Sequence, residues 1–156
     1  MDTPRATVLF VCTGNTCRSP MAAAYFRHRC RSRGLDGVAV LSAGTAAVVG
    51  EPVSPQAKFA LWENGVNLGD EARSQPLTSE LCRAADLILA MTGAHLAAIR
   101  HLAPTAGART RLLLSLAGAP DDVPDPFGAS VEEYIACLER MKPALERLVD
   151  QVAAGL

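Results

Sequence analysis

Val8-Leu9-Phe10-Val11-Cys12-Thr13-Gly14-Asn15-Thr16-Cys17-Arg18-Ser19-Pro20-Met21 is the stretch whose reading decides the fold. Its apolar, partly β-branched beginning predicts a buried strand over Thr7–Cys12, of the kind that sits inside a parallel sheet. A short polar loop follows. Ser19 is then a natural N-cap and Pro20 suits the first helical position, so a helix is expected to about Ser32, with Gly34 as its stop. Ala22, Phe26 and Cys30, four residues apart, mark its inward face. Cys12 and Arg18 bracket five residues, C-x5-R. A loop between a strand end and a helix start turns free backbone N–H groups toward one point, and the helix dipole favours an anion there. Arg18 adds a planar cation able to grip two phosphoryl oxygens at once. A cysteine at the base of such a cup is expected to be a thiolate at neutral pH. Nucleophile, amide cradle and guanidinium together describe a phosphoryl-transfer site that needs no metal and no cofactor.

Outward from that stretch, strand and helix signals alternate. Val38–Ser42 reads as a second buried strand, followed by a loop through Pro52. Ser54-Pro55 repeats the cap-plus-proline signal for a helix ending at Asn64-Gly65, with Trp62 expected as a buried or half-buried packing residue. Val66–Pro76 reads as irregular, and Leu77-Thr78 opens a short helix through Arg83. Ala85–Met91 is a third strand, Thr92 caps a helix that ends before Pro104, and Thr110–Leu116 is a fourth strand. A Pro/Asp-rich loop spans Gly118–Gly128. Ser130 and Glu133 form a capping box for a last helix, in which Pro143 predicts a kink or break near Met141-Lys142. The alternation implies a single α/β domain over residues 1–156: three layers, a four-stranded parallel sheet with helices on both faces, and a loose tail at residues 1–5. In such sheets ligands bind beyond the carboxyl ends of the strands, where the Cys12 loop lies.

Bulk properties narrow the function. A net charge of −1 gives no electrostatic case for nucleic acid or an anionic membrane surface. No segment has the apolar length of a membrane span, and Ala6–Cys12 is too short to be the core of a signal peptide. Five cysteines, an odd number spread along the chain, do not form a secreted disulfide framework. A reducing, cytoplasmic compartment fits them and fits a free thiolate. His28, His95 and His101 have no metal-ligand spacing and read as surface or packing residues.

CTGNTCRSPMA resembles the active-site signature of the low-molecular-weight protein tyrosine phosphatase family, C-x5-R-[ST]-P. Ser42-Ala43-Gly44-Thr45, the segment SQPLTSELCRAADLILAMTGAH and Asp125-Pro126-Phe127 extend the likeness over about residues 7 to 150. The resemblance implies that Cys12 is the nucleophile and forms a phosphocysteine intermediate. It implies that backbone amides from Thr13, Gly14, Asn15, Thr16, Cys17 and Arg18 cradle the phosphoryl oxygens, with Gly14 permitting a turn that a side chain would resist. Arg18 then binds the transferring group, Asn15 holds the loop through backbone hydrogen bonds, and the Ser19 hydroxyl donates to the Cys12 thiolate. Asp125, rather than Asp121 or Asp122, is the general acid and then the base for the hydrolytic water. Cys17 either packs the loop or pairs reversibly with Cys12, as its counterpart does in relatives. Cys30, Cys82 and Cys137 read as buried filler.

The resemblance also bears on the substrate, a phosphorylated protein acted on by a monomer. Thr16 stands where tyrosine-directed members usually carry a branched apolar residue, and threonine there resembles the family's protein arginine phosphatases. A small hydroxyl-bearing side chain leaves room and polarity for a guanidinium. Residues 45–52 offer no aromatic to flank a phenyl ring, and Phe127 follows Asp-Pro where tyrosine-directed members often carry tyrosines. Phosphoarginine is therefore favoured over phosphotyrosine. Ala72-Arg73 replace a histidine common in arginine-directed relatives, and Gly69–Arg73 is longer and more acidic than usual. A thioredoxin-linked arsenate reductase shares the fold and the C-x5-R loop, but needs two further cysteines close together, and Cys82 has no such neighbour.

Overall fold

The computed structural model describes residues 5–155, in which strands and helices alternate as β1 (Ala6–Cys12), α1 (Arg18–Ser32), β2 (Val38–Gly44), α2 (Pro55–Trp62), α3 (Ser79–Ala84), β3 (Leu87–Ala90), α4 (Gly93–Leu102), β4 (Thr110–Leu112) and α5 (Val131–Ala153). The four strands form one parallel sheet in the order β2-β1-β3-β4. The expected α/β architecture is therefore the one observed. Of the expected tail, only Arg5 lies within the described residues, its N–H bonded to the carbonyl of Gly37.

β1 shows why the sheet is covered on both faces. Val8, Phe10 and Cys12 point into a core shared with α1, α2 and α5, whereas Leu9 and Val11 point into a second core with α3 and α4. Alternation with both faces apolar is the signature of a central parallel strand. β1 pairs with β2 from Ala6↔Val38 to Cys12↔Gly44 and with β3 from Val8↔Leu87 to Val11↔Ala90. The chain leaves β1 to one side for β2 and crosses back to the other for β3. The carboxyl end of β1 is thus the point where the winding reverses, the place an open α/β sheet keeps for a ligand. Cys12 is the last residue of that strand.

Several expectations need correction. Helix α1 begins at Arg18, and Ser19 is not its cap: the cap position is Cys17, with no side-chain cap hydrogen bond. The Ser19 hydroxyl is buried and turned toward Cys12 instead. The first-turn amides are left without a side-chain acceptor, which keeps them for an anion. The fourth strand stops at Leu112 and a 3-10 turn, Leu113–Ala117, replaces its second half. β3 offers pairing only as far as Ala90, so the chain turns and buries Leu113, Leu114 and Leu116 beneath α5. Trp62 is 64% exposed, tilted against Phe59 with ring centroids 5.9 Å apart, because Ala57, Ala60 and Leu61 fill the inward face of α2.

Helix α5 runs unbroken through Pro143, so no break occurs at Met141-Lys142. Proline removes one main-chain hydrogen bond, a loss of about 3 kcal/mol in an isolated helix. Here the flanking Met141, Ala144, Leu145 and Leu148 are fully buried, and that packing keeps the helix continuous across the proline. Glu146 fastens the helix to α1 by accepting from Tyr25 Oη at 3.0 Å and Arg29 Nε at 2.8 Å.

Candidate active site

The loop 13–17 leaves β1, curls over its end and enters α1. Asn15 is its pivot and the only non-glycine residue among those described with positive φ, at 59°. Asparagine tolerates the left-handed region better than most residues, and its side chain here is fully used. Nδ2 donates to Ser19 Oγ at 2.8 Å and Ser42 Oγ at 2.9 Å, and Oδ1 accepts from the Gln75 backbone N–H at 2.9 Å. The expectation for Gly14 is corrected: its φ is not positive, and a Cβ there would meet only Thr16 Oγ1 at 3.6 Å, an ordinary contact.

Gly44, at the end of β2, is the glycine the loop requires. A Cβ on it would fall 2.3 Å from the Thr13 carbonyl oxygen, 3.0 Å from Asn15 N and 2.9 Å from Ala47 Cβ. Gly44→Ala is expected to cost about 1–3 kcal/mol in denaturant unfolding, the usual range for overpacking. Because the displaced atoms belong to the loop, kcat/KM on an aryl phosphate should fall about tenfold as well. A stable variant with wild-type turnover would show that the loop does not depend on this contact. In the sequence Gly44 stands out only as part of Ser42-Ala43-Gly44-Thr45 in the family likeness, and nothing there reveals this contact.

Cys12 Sγ is buried and faces the loop, accepting from the Asn15 backbone N–H at 3.3 Å and lying 3.0 Å from Ser19 Oγ. Ser19 Oγ already accepts from Asn15, so its own proton is free for the sulfur. Two hydrogen-bond donors therefore face one sulfur. Arg18 is 4% exposed; Nη1 donates to the Val123 carbonyl at 3.0 Å, and Nη2 lies 3.5 Å from Asp125 Oδ2. Its Nε has no partner.

Asp125 arrives from a loop more than a hundred residues downstream. Val123 N–H bonds to the Met91 carbonyl at 2.8 Å, stitching that loop to the end of β3. Of the three neighbouring aspartates only Asp125 faces the cavity. Asp122 accepts from the Gly93 N–H at 2.9 Å in the first turn of α4, and Asp121 is exposed. The cavity, about 230 Å³, is lined by Cys12, Thr13, Gly14, Thr16, Cys17, Arg18, Asp125 and Phe127.

The remaining thiols are spread through the core. All five cysteines are free and buried. Cys17 Sγ lies 3.3 Å from Tyr134 Oη, whose pKa is pushed up to about 12, chiefly by burial. Burial also pushes the Cys30 and Cys82 thiols up, and Cys137 up to about 12. Cys82 belongs to the core on the opposite face of the sheet from Cys12, so it cannot relay a disulfide to it without rearrangement of the fold. Among the described residues no cluster of His, Cys, Asp and Glu is arranged to hold a metal. No described helix is long and apolar enough to cross a membrane.

One residue at the site was not singled out by sequence. His95, read there as surface or packing, is 4% exposed with Nε2 2.8 Å from Thr13 Oγ1. Burial, and then the Arg18 charge, lower its pKa to about 4.

A buried cysteine whose sulfur accepts from a loop amide, with an arginine and a carboxylate on one cavity at a sheet switch point, has the make-up of a cysteine-dependent phosphoryl-transfer site. Residues 7–155 match the family model described as low molecular weight phosphotyrosine protein phosphatase, and the chain belongs to that family. It is a hydrolase, a low molecular weight protein phosphatase. It is 39% identical over 146 residues to a protein-arginine-phosphatase of Geobacillus stearothermophilus, covering 93% of this chain and 95% of the relative. It is 42% identical over 155 residues to a low molecular weight protein-tyrosine-phosphatase of Streptomyces coelicolor, covering 93% and 92%. Among solved structures, the YwlE arginine phosphatase, as a cysteine-to-serine mutant with a phosphorylated active-site serine, superposes with a TM-score of 0.88 at 38% identity, covering 94% of this chain and 95% of that one.

Proposed function

We propose that the chain hydrolyses phosphoarginine on proteins through a phosphocysteine at Cys12. The observation that carries the chemistry is the convergence of Cys12, Arg18 and Asp125 on one cavity. Cys12 Sγ attacks phosphorus as the bond to the arginine nitrogen breaks, and Asp125 gives its proton to that departing nitrogen. The carboxylate then takes a proton from water as the water oxygen bonds to phosphorus and the S–P bond breaks, releasing inorganic phosphate and restoring the thiolate. Arg18 and the loop amides hold the equatorial oxygens throughout.

Thr16 supports phosphoarginine. It lines the cavity half-buried, and its carbonyl accepts from Ser54 N–H at 3.0 Å, which fixes where its side chain sits. The hydroxyl presents an acceptor where a guanidinium needs one, and isoleucine would present a methyl face suited to a phenyl ring. Phosphotyrosine is the second reading, supported by Phe127, 75% exposed on the cavity rim and free to stack on an aromatic ring. The test compares kcat/KM on phosphoarginine and phosphotyrosine proteins for wild type and Thr16→Ile. Wild type should prefer phosphoarginine, and Thr16→Ile should reverse the preference by at least about tenfold, 1.4 kcal/mol of transition-state discrimination. A wild-type preference for phosphotyrosine would overturn the assignment.

We propose action as a monomer, and five free thiols support a reducing, cytoplasmic setting. Under peroxide, Cys12 would become a sulfenic acid and the Cys17 thiol would displace water from it. The resulting disulfide would shield the nucleophile from irreversible oxidation.

A further inference from the structure

Two atoms of His95 that the reaction leaves unused decide its role. Nε2 meets Thr13 Oγ1 at 2.8 Å, and Nδ1 is buried with no partner. A neutral imidazole has one N–H, and a buried N–H without an acceptor is the costlier orphan. The proton therefore belongs on Nε2, where it is donated to Thr13 Oγ1. Thr13 then accepts from the ring, and its own hydroxyl proton turns away from the ring toward the cavity that Thr13 lines.

The backbone that carries the ring is anchored at the helix cap: the His95 main-chain N–H donates to Thr92 Oγ1 at 3.2 Å in the first turn of α4, directly after β3. Thr13 is held a second time through its carbonyl, which accepts from Ala46 N–H at 3.0 Å. The first residue after the nucleophile is thus fixed from two sides of the sheet, by the β3–α4 junction and by the loop after β2. A protonated ring would be buried and would repel the Arg18 guanidinium. Burial, and then the Arg18 charge, keep the ring neutral at pH 7 against the opposing pull of Asp122 and Asp125.

We propose that His95 is a positioning residue of the phosphatase site: its neutral imidazole orients the Thr13 hydroxyl as a phosphoryl-oxygen donor and pins the entry of the phosphate loop. This rests on the Cys12 loop being the phosphoryl site. It adds a side-chain donor to a cradle otherwise built from amides, and gives α4 a part in catalysis.

The test is a double-mutant cycle on p-nitrophenyl phosphate, with inhibition by inorganic phosphate as the binding readout. Thr13→Val, nearly isosteric, should weaken phosphate inhibition about tenfold and lower kcat/KM about tenfold or more. His95→Leu should do the same, and the double variant should be no worse than the poorer single one. His95→Gln, which keeps an N–H near the Nε2 position, should recover most of the activity that His95→Leu loses. If His95→Leu does not fold, Thr13→Val and His95→Gln still decide the matter. Additive losses, or Thr13→Val with wild-type phosphate inhibition, would overturn the proposal. A purely structural histidine would lower the melting temperature in His95→Leu while leaving phosphate inhibition unchanged, which also overturns it. Failure of the underlying site is recognised separately, since Cys12→Ser would then retain turnover.

Discussion

Cys12→Ser is expected to lower kcat on p-nitrophenyl phosphate at least about a thousandfold while inorganic phosphate still protects the protein against thermal unfolding. The two halves of the result come from different parts of the site. A serine hydroxyl at the end of β1 remains protonated at neutral pH and is a poor nucleophile, so the covalent step stalls. The anion cup does not depend on sulfur. The loop amides, the Arg18 guanidinium, and the Asn15–Ser19–Ser42 bonds that shape the loop all remain. Wild-type activity should also survive chelators, because every group assigned to the reaction is a side chain or an amide. Substantial turnover by Cys12→Ser would mean that another nucleophile does the chemistry. Loss of phosphate protection would mean that the thiolate itself builds the cup.

Asp125→Asn is the second large effect, and its size should depend on the leaving group. An amide cannot supply a proton, and general acid catalysis contributes about 10²–10⁴-fold. p-Nitrophenolate departs readily without protonation, so the loss on that ester should sit at the low end of the range. Phenyl phosphate or a phosphoarginine protein, whose leaving groups need the proton, should show the high end. A uniform loss across leaving groups would indicate that Asp125 serves mainly through its charge beside Arg18, 3.5 Å away. An unchanged rate would pass the acid role to Asp121 or Asp122, against the bond that commits Asp122 to the first turn of α4.

Much of the fold was legible because its signals are local and repeated. The apolar run Val8–Cys12, the Ser54-Pro55 and Thr92 caps and the Ser130–Glu133 pair each announce an element by their own chemistry, and alternation does the rest. Most of the misses have a different origin: they were settled by distant partners. Ser19 has the chemistry of a cap, but Cys12 and Asn15 claim its hydroxyl. The length of β4 was decided by where β3 stops, Pro143 was tolerated because α5 is clamped along its length, and Trp62 was left outside by the alanines beside it. The same distinction runs through the site. Cys12, Arg18 and Asp125 carry recognisable motifs. Gly44 acts on Thr13 and Asn15 and His95 on Thr13, partners far away along the chain, and no spacing rule reports such contacts.

The Val123 carbonyl accepts from Arg18, and two residues on stands Asp125. The proposed phosphoryl-binding cation and the proposed acid are therefore tied together, through the Val123 carbonyl and through the 3.5 Å contact between Arg18 and Asp125, and neither can drift without dragging the other. Free energies measured by removing them one at a time will each contain part of the other's contribution. Substitution of both should cost far less than the sum. The 118–128 loop and Arg18 therefore move as one mechanical unit joined at the Val123 carbonyl, while Thr16 lines the same cavity outside that linkage.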